Sequence, residues 1–189
     1  MTDCWLLRHG VTEGPEGFRG RLDPPLAEQG WAQLRAAVAP QPPFELILTS
    51  PQQRCARFAE WLAAEQGAEL AVEADLRELD FGAWEGRTAA ELMQDQAEAL
   101  GRFWADPYAY TPPGGEPVAA FAERVLGAVA RWRPRLQGRR SLIVTHGGVI
   151  RLLLARQRGL PPKDLLQVEA PYATLQPLAL EEGRCRCRS

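Results

Sequence analysis

The only two histidines of the 189-residue chain stand in matching surroundings. His9 and His146 each lie just after a short apolar run and directly before a glycine, within residues 4–10 and 142–147. An unperturbed imidazole has a pKa of about 6.5, so a neutral nucleophile and a cationic partner are both available near neutral pH. A lone histidine after a strand is more often structural. Two in the same setting indicate an active site.

Arginine side chains accompany these histidines. Arg8 directly precedes His9, and Arg54 follows Ser50 and Pro51 after a third apolar run at residues 46–48. Proline at this point favours the start of a helix, whose N-terminus attracts anions, and Arg54 would lie one turn in, facing the same pocket. Arginine binds two oxygens of a phosphoryl group at once and stays charged. Charge from Arg8, Arg54 and His146 would stabilise phosphoryl transfer without a metal ion.

The elements that must position these residues alternate along the chain. The three apolar runs predict buried strands, and segments with helical spacing lie between them. The helical positions are Leu34 and Val38, then Phe58, Trp61 and Leu62, then Phe121, Val125, Val129, Trp132 and Leu136. The alternation predicts an α/β fold, a three-layer sandwich whose mostly parallel central sheet is flanked by helices, with the ligand site at the carboxyl ends of the strands.

The remaining segments complete a single domain over residues 1–189, a length that suits one core. Residues 81–117 combine aromatic residues with prolines and glycines and predict a lid-like insertion. Residues 172–180 alternate weakly and predict one or two late strands. We see no internal repeat.

Composition excludes several classes of protein. A net charge of -2 does not favour nucleic-acid binding. No apolar segment is long enough to span a membrane, and no leader is evident, so we expect a cytoplasmic location. Cys4, Cys55, Cys185 and Cys187 are expected to be reduced thiols, and their spacing does not suit zinc. The sequence makes no prediction of oligomeric state.

Five blocks of residues, in this order, are similar to the histidine phosphatase superfamily, the clan that includes cofactor-dependent phosphoglycerate mutases. The blocks are Leu6 to Gly10 with Thr12; Asp23, Pro25, Leu26 and Gly30; Ser50, Pro51 and Arg54; Glu78, Phe81, Gly82 and Trp84 to Gly86, followed by Gly114 to Glu116; and His146 to Gly148. A single Arg-His-Gly triplet would be weak evidence, whereas the ordered set covers most of the chain.

The resemblance implies a role for each site residue. His9 would become phosphohistidine, and Glu78 would protonate the leaving alkoxide and then deprotonate the attacking water. The implied catalytic residues are His9, Glu78, His146, Arg8 and Arg54. The implied substrate-binding residues are Arg8, Arg54, Thr12, Arg19 and Gly147, with no cofactor and no metal ion. Glu85 is left out of the catalytic set, because a structural hydrogen bond explains it as well.

One position departs from the family pattern. The family often has asparagine three residues after the threonine, where this chain has Pro15. Arg19 could substitute for the missing side chain, and an ordinary solvated arginine is the equal alternative.

The finer resemblance is to α-ribazole phosphatases of cobalamin synthesis, carried by residues 6–14, 18–20 and 30–33. It implies a small phosphate monoester as partner, α-ribazole 5'-phosphate or cobalamin phosphate. The aromatic residues Phe103, Trp104, Tyr108 and Tyr110 could stack on a flat base or simply pack the insertion.

Two alternative functions remain open. One is a phosphoglycerate mutase-type or sugar-phosphate enzyme, although residues 101–116 hold only Arg102 where such mutases carry paired arginines. The other is an inactive relative that binds phosphorylated ligands.

Overall fold

A five-stranded sheet forms the centre of the computed structural model, which describes residues 4–180. The strands are β1 (Cys4–Arg8), β2 (Leu46–Thr49), β3 (Glu69–Val72), β4 (Ser141–Thr145) and β5 (Leu175–Leu178). Their order is β3-β2-β4-β1-β5. Strands β1 to β4 pair in parallel, and β5 runs antiparallel to β1. The predicted mostly parallel sheet is confirmed.

Six α-helices cover the two faces of the sheet. They are α1 (Glu28–Val38), α2 (Gln53–Gln66), α3 (Ala89–Asp95), α4 (Ala97–Ala105), α5 (Val118–Leu136) and α6 (Gly147–Gln157), with 3-10 turns at Ala74–Leu76, Gly82–Trp84 and Pro162–Gln167. Because side chains alternate along a strand, Leu7 and Ile47 pack against α1 and α2. Leu6 and Leu48 pack against α4, α5 and α6. The three-layer α/β sandwich is therefore as predicted.

The structure differs from the sequence prediction in local details. Helix α2 begins at Gln53, so Pro51 stands two residues ahead of it instead of leading its first turn. Strand β3 was not anticipated, because it is a four-residue edge strand with three exposed side chains and lacks a buried apolar run. The predicted lid-like insertion at residues 81–117 contains α3 and α4. Their Leu92, Leu100 and Phe103 are buried in the main core.

The topology places three loops side by side. Strands β2, β4 and β1 are consecutive neighbours with a common direction, so Ser50, His146 and His9 follow them at the same edge of the sheet.

No described helix has the length and apolar character needed to cross a membrane. Cys4 and Cys55 are buried and free, whereas Cys185 and Cys187 lie outside the described residues.

Candidate active site

The two histidines lie together at the carboxyl edge of the sheet. Their ring centroids are 5.3 Å apart in an edge-to-face arrangement. Nδ1 of His9 lies 2.8 Å from the carbonyl oxygen of Gly10, and this oxygen can only accept a hydrogen bond. Nδ1 therefore carries the proton, and the lone pair is on Nε2 of His9. Nε2 of His146 shares a 2.7 Å hydrogen bond with Oγ of Ser50.

Burial and arginine charge keep both rings neutral. Burial is the main cause that lowers the pKa of His9 to about 3, and the charge of Arg54 acts in the same direction. Burial and then Arg54 also hold the pKa of His146 well below its usual range. A neutral His9 agrees with a nucleophilic role. The lowered pKa does not support the expectation of a cationic His146, because burial and the neighbouring arginine both disfavour protonation of this imidazole.

Arg8 is fixed by two contacts. Its Nη1 donates to the carbonyl oxygen of Ala170 at 2.6 Å, and its guanidinium carbon lies 3.8 Å from the ring centroid of Tyr172. Burial lowers the pKa of Arg8, but arginine remains a cation at neutral pH. Its Nε is buried and has no hydrogen-bond partner within residues 4–180.

Arg54 is fully buried and holds a loop. Its Nη1 donates to the carbonyl oxygen of Leu22 and to Asp23, and its Nη2 to the carbonyl oxygens of Arg19 and Gly20. The prediction that its fork faces the pocket is wrong, because both terminal nitrogens are occupied by this loop. Of the three guanidinium nitrogens of Arg54, Nε has no hydrogen-bond partner within the described residues. Oγ1 of buried Thr12 also has none there.

Glu78 is half-buried and held at several atoms. Its Oε2 accepts from the backbone N–H of Gly148 at 2.9 Å and its Oε1 from that of Leu79 at 3.0 Å. Its backbone N–H donates to Oε1 of Gln52. A Cβ atom on Gly148 would lie 2.3 Å from Oε1 of Glu78, so only glycine permits this approach.

A cavity of about 590 Å³ is lined by Arg8, His9 and Glu78, whereas His146 and Arg54 are not among its lining residues. Its polar end includes Arg8, His9, Arg19 and Glu78. Its apolar wall includes Phe18, Phe81, Phe103, Trp104, Phe121 and Leu166. Such a volume, with few polar groups at one end, suits a small molecule.

Only two of the four aromatic residues predicted for stacking line this cavity. Phe103 and Trp104 do so, whereas Tyr110 stacks on Trp84 with ring centroids 5.9 Å apart. Tyr108 borders a different, smaller cavity. The positions of the last two therefore support packing and not contact with a ligand.

Arg19 and Gly147 lie near the histidines, and their roles in substrate binding stay predictions. Arg19 borders the cavity, and its Nη2 donates to the carbonyl oxygen of Pro15, the position where the family asparagine is missing. Gly147 begins α6, and a Cβ there would lie 3.0 Å from Nη1 of Arg151. Glu85 instead accepts backbone N–H groups from the loop at Gly20 and from Phe81, a structural role.

Two residues at the cavity were missed by the sequence analysis. Arg151 borders the cavity from the first turns of α6, and its Nε donates to the carbonyl oxygen of Val168. Like Arg54, it lies in the first turns of a helix that follows a buried strand. The ring centroids of Tyr172 and His9 are 5.5 Å apart, and no sequence signal distinguished Tyr172.

Among the described side chains, no cluster of three His, Cys, Asp or Glu could hold a metal ion.

Comparison with protein-family models decides the relationship. The model of the histidine phosphatase superfamily (branch 1) matches residues 4–189. The chain belongs to this superfamily. The neutral buried His9 and the arginines beside it thus lie in a histidine phosphatase fold.

Known proteins similar to this histidine phosphatase include phosphatases. The bifunctional protein Rv2228c of Mycobacterium tuberculosis is 40% identical over 162 residues, which cover 81% of this chain and 43% of that protein. The chain thus spans less than half the length of that relative. The adenosylcobalamin/alpha-ribazole phosphatase of Escherichia coli K12 is 32% identical, covering 85% of this chain and 81% of that protein.

Solved structures give the same relationship. The crystal structure of the alpha-ribazole phosphatase from Shigella flexneri superimposes with a TM-score of 0.77 at 30% identity, covering 91% of this chain and 87% of that chain. A 2,3-bisphosphoglycerate-dependent phosphoglycerate mutase of Rhizobium etli is also similar, at 28% identity. Proteins whose names state different activities are therefore similar to this chain.

Proposed function

We propose that this histidine phosphatase hydrolyses a small phosphate monoester through a phosphohistidine at His9. The observation that supports this most is the state of the His9 ring, which is neutral and carries its proton on Nδ1. Its free Nε2 lone pair is what attack on phosphorus requires. The ring borders the cavity.

Three buried donors are candidates for binding the phosphoryl group. They are Nε of Arg8, Nε of Arg54 and Oγ1 of Thr12, and none has a partner within the described chain. Buried polar groups normally find partners, and the oxygens of a phosphoryl group would satisfy all three. The backbone at Gly147, the first residue of α6, would add the positive end of a helix dipole.

The reaction would take two steps. In the first, Nε2 of His9 forms a bond to phosphorus as the bond to the ester oxygen breaks, and the leaving oxygen takes a proton from Glu78. In the second, water gives a proton to Glu78 and its oxygen attacks phosphorus, which releases inorganic phosphate and restores His9. Because Nε2 of His146 already shares a hydrogen bond with Oγ of Ser50 and burial keeps the ring neutral, His146 would not supply a fixed charge to the phosphoryl group.

For the substrate we propose α-ribazole 5'-phosphate. Support comes from the relatives that carry this activity in their names and from the apolar wall that includes Phe103 and Trp104. Flat aromatic rings of the protein can stack on a flat heterocycle, and the volume of about 590 Å³ suits a nucleoside-sized ligand.

Arg151 favours a second candidate. Its guanidinium borders the cavity beside Arg8 and Gly147, where it could bind an additional anionic group. A phosphorylated acid such as 3-phosphoglycerate is therefore the competing substrate class.

A panel of phosphorylated metabolites, tested for phosphate release, distinguishes these candidates. We expect kcat/KM for α-ribazole 5'-phosphate to exceed the values for 3-phosphoglycerate and simple sugar phosphates. An Arg151→Leu variant should change the value for α-ribazole 5'-phosphate less than that for 3-phosphoglycerate. A preference for 3-phosphoglycerate that disappears in this variant would establish the second candidate. If phosphate is released from no substrate in the panel, the remaining alternative is an inactive relative that binds phosphorylated ligands.

A further inference from the structure

We infer that Arg124 is a positioning residue that aligns Glu78 for proton transfer, acting with Glu116. This inference rests on the proposed role of Glu78 as general acid and base. Neither the sequence pattern nor the cavity lining points to Arg124, because it lies on α5 and borders a second cavity and not the one that contains His9.

The side chain of Arg124 uses all its hydrogen-bond donors on one short segment and one carboxylate. Its Nη1 donates to the carbonyl oxygens of Asp75 at 2.7 Å and Arg77 at 2.9 Å, and its Nη2 donates to that of Glu78 at 3.0 Å. Its Nε and Nη2 bind the two oxygens of Glu116 at 2.7 and 2.8 Å. These bonds saturate the five N–H groups of a guanidinium. Lysine cannot reproduce them, because its ammonium has three donors and no fork.

The segment that Arg124 holds has no regular secondary structure at Glu78 itself. The 3-10 turn Ala74–Leu76 ends before it, so neither helix nor strand hydrogen bonds fix the backbone there. Side chains fix it instead, with Gln52 on the N–H of Glu78 and Arg124 on its carbonyl oxygen. The backbone position from which the Glu78 carboxylate reaches the cavity therefore depends on these two contacts.

Glu116 completes the arrangement. Its backbone N–H donates to the carbonyl oxygen of Asp80 at 2.9 Å, so the Arg124–Glu116 pair contacts the chain on both sides of Glu78. The side chains of Arg124 and Glu116 are 17% and 20% exposed, which makes the pair well shielded from solvent. Two parallel hydrogen bonds between shielded, oppositely charged groups hold the two side chains in a fixed relative orientation. A misplacement of about 1 Å at a reacting group can cost about a hundredfold in rate.

The test uses leaving groups that differ in their need for a proton. The rate of phosphoenzyme formation is measured by rapid quench with ribose 5-phosphate, whose alkoxide needs a proton, and with p-nitrophenyl phosphate, whose phenolate does not. We expect Arg124→Lys to slow the reaction of the alkyl ester by at least about tenfold and that of the aryl ester by less than about twofold. Equal slowing of both esters, or of neither, overturns the inference.

Arg131→Lys is the matched control. Arg131 lies on the same helix and pairs with Asp75 and Glu73, yet it makes no hydrogen bond to Glu78 and is 56% exposed. It should leave both rates unchanged. If Arg124→Lys does not fold, Glu116→Gln tests the same pair and should show the same dependence on the leaving group.

A double variant separates this inference from the proposed function. In a Glu78→Gln background, Arg124→Lys should slow the alkyl ester by no more than about twofold further, because coupled residues are not additive. A multiplicative loss would overturn the inference while leaving the role of Glu78 intact. If Glu78→Gln alone shows no dependence on the leaving group, the proposed role of Glu78 fails, and the inference fails with it.

Discussion

Oε2 of Glu78 accepts a hydrogen bond from the backbone N–H of Gly148, 2.9 Å away. A Cβ at Gly148 would lie 2.3 Å from the other carboxylate oxygen, Oε1, well inside van der Waals contact. Gly148→Ala should therefore displace the Glu78 carboxylate and reduce kcat for an alkyl phosphate by about a hundredfold. Steady-state phosphate release measures this effect.

Gly101→Ala is the control for that substitution. Gly101 lies within α4, and no atom lies within 4 Å of its Cβ position, apart from its own helix and chain neighbours. It should leave kcat unchanged and stabilise the helix by up to about 1 kcal/mol. If Gly148→Ala were as active as Gly101→Ala, Glu78 would not be the proton donor.

Arg54→Ala should reduce both activity and stability. The substitution removes the donors to the 19–23 loop, leaves Asp23 without this partner and takes a positive charge from the vicinity of His9. Breaking a buried charge network costs about 3 to 5 kcal/mol, measured by urea unfolding. Arg57→Ala, on the exposed side of α2, should cost less than about 1 kcal/mol. Equal losses for the two variants would contradict the assignment of Arg54.

Stability should fall as the pH drops below about 6.5. Both histidines are neutral in the fold, because their pKa values are lowered, to about 3 for His9, whereas the unfolded chain takes up protons near pH 6.5. The unfolded state therefore binds more protons between these values, and each histidine reduces the free energy of unfolding by about 1.4 kcal/mol per pH unit below 6.5. Above that pH the contribution is complete.

Urea unfolding at pH 7, 6 and 5 measures this slope. A double variant, His9→Gln with His146→Gln, should lose most of it, since the chain has no other histidine. A wild-type free energy that does not change from pH 7 to pH 5 would show that the histidines are protonated in the fold.

Metal chelators should leave activity intact, while vanadate should inhibit. The charge proposed to stabilise the transferring phosphoryl group belongs to Arg8 and Arg54, and vanadate adopts the five-coordinate geometry of the transition state. Phosphate release after dialysis against EDTA, with and without added Mg²⁺, is the measurement. Activity lost in EDTA and restored by the ion would refute arginine-based catalysis.

The sheet and the grouping of the two histidines could be predicted because they depend on local patterns. Short apolar runs ending in polar residues indicate parallel strands, and parallel strands bring their carboxyl ends together. That reasoning brought His9, His146 and Ser50 to one edge. It did not find β3, a four-residue edge strand whose side chains are mostly exposed.

The finer properties of the site could not be predicted, because they depend on tertiary contacts. Burial, which residue types do not reveal, is the largest cause that lowers the pKa of His9. The fork of Arg54 was expected at the cavity, but backbone carbonyl oxygens from a distant loop occupy it. The types of the residues do not reveal which side chains will donate hydrogen bonds to backbone carbonyl oxygens. Arg124 could not be predicted for the same reason.

Detection of the covalent intermediate tests the central proposal most directly. Wild-type protein mixed with ³²P-labelled α-ribazole 5'-phosphate and quenched within milliseconds should yield a phosphoryl adduct that is labile in acid and stable in base, located on the peptide containing His9. The His9→Ala variant should give no adduct and no turnover. A labelled adduct that persists in His9→Ala, or turnover near the wild-type rate in that variant, would contradict the assignment of His9 as the nucleophile.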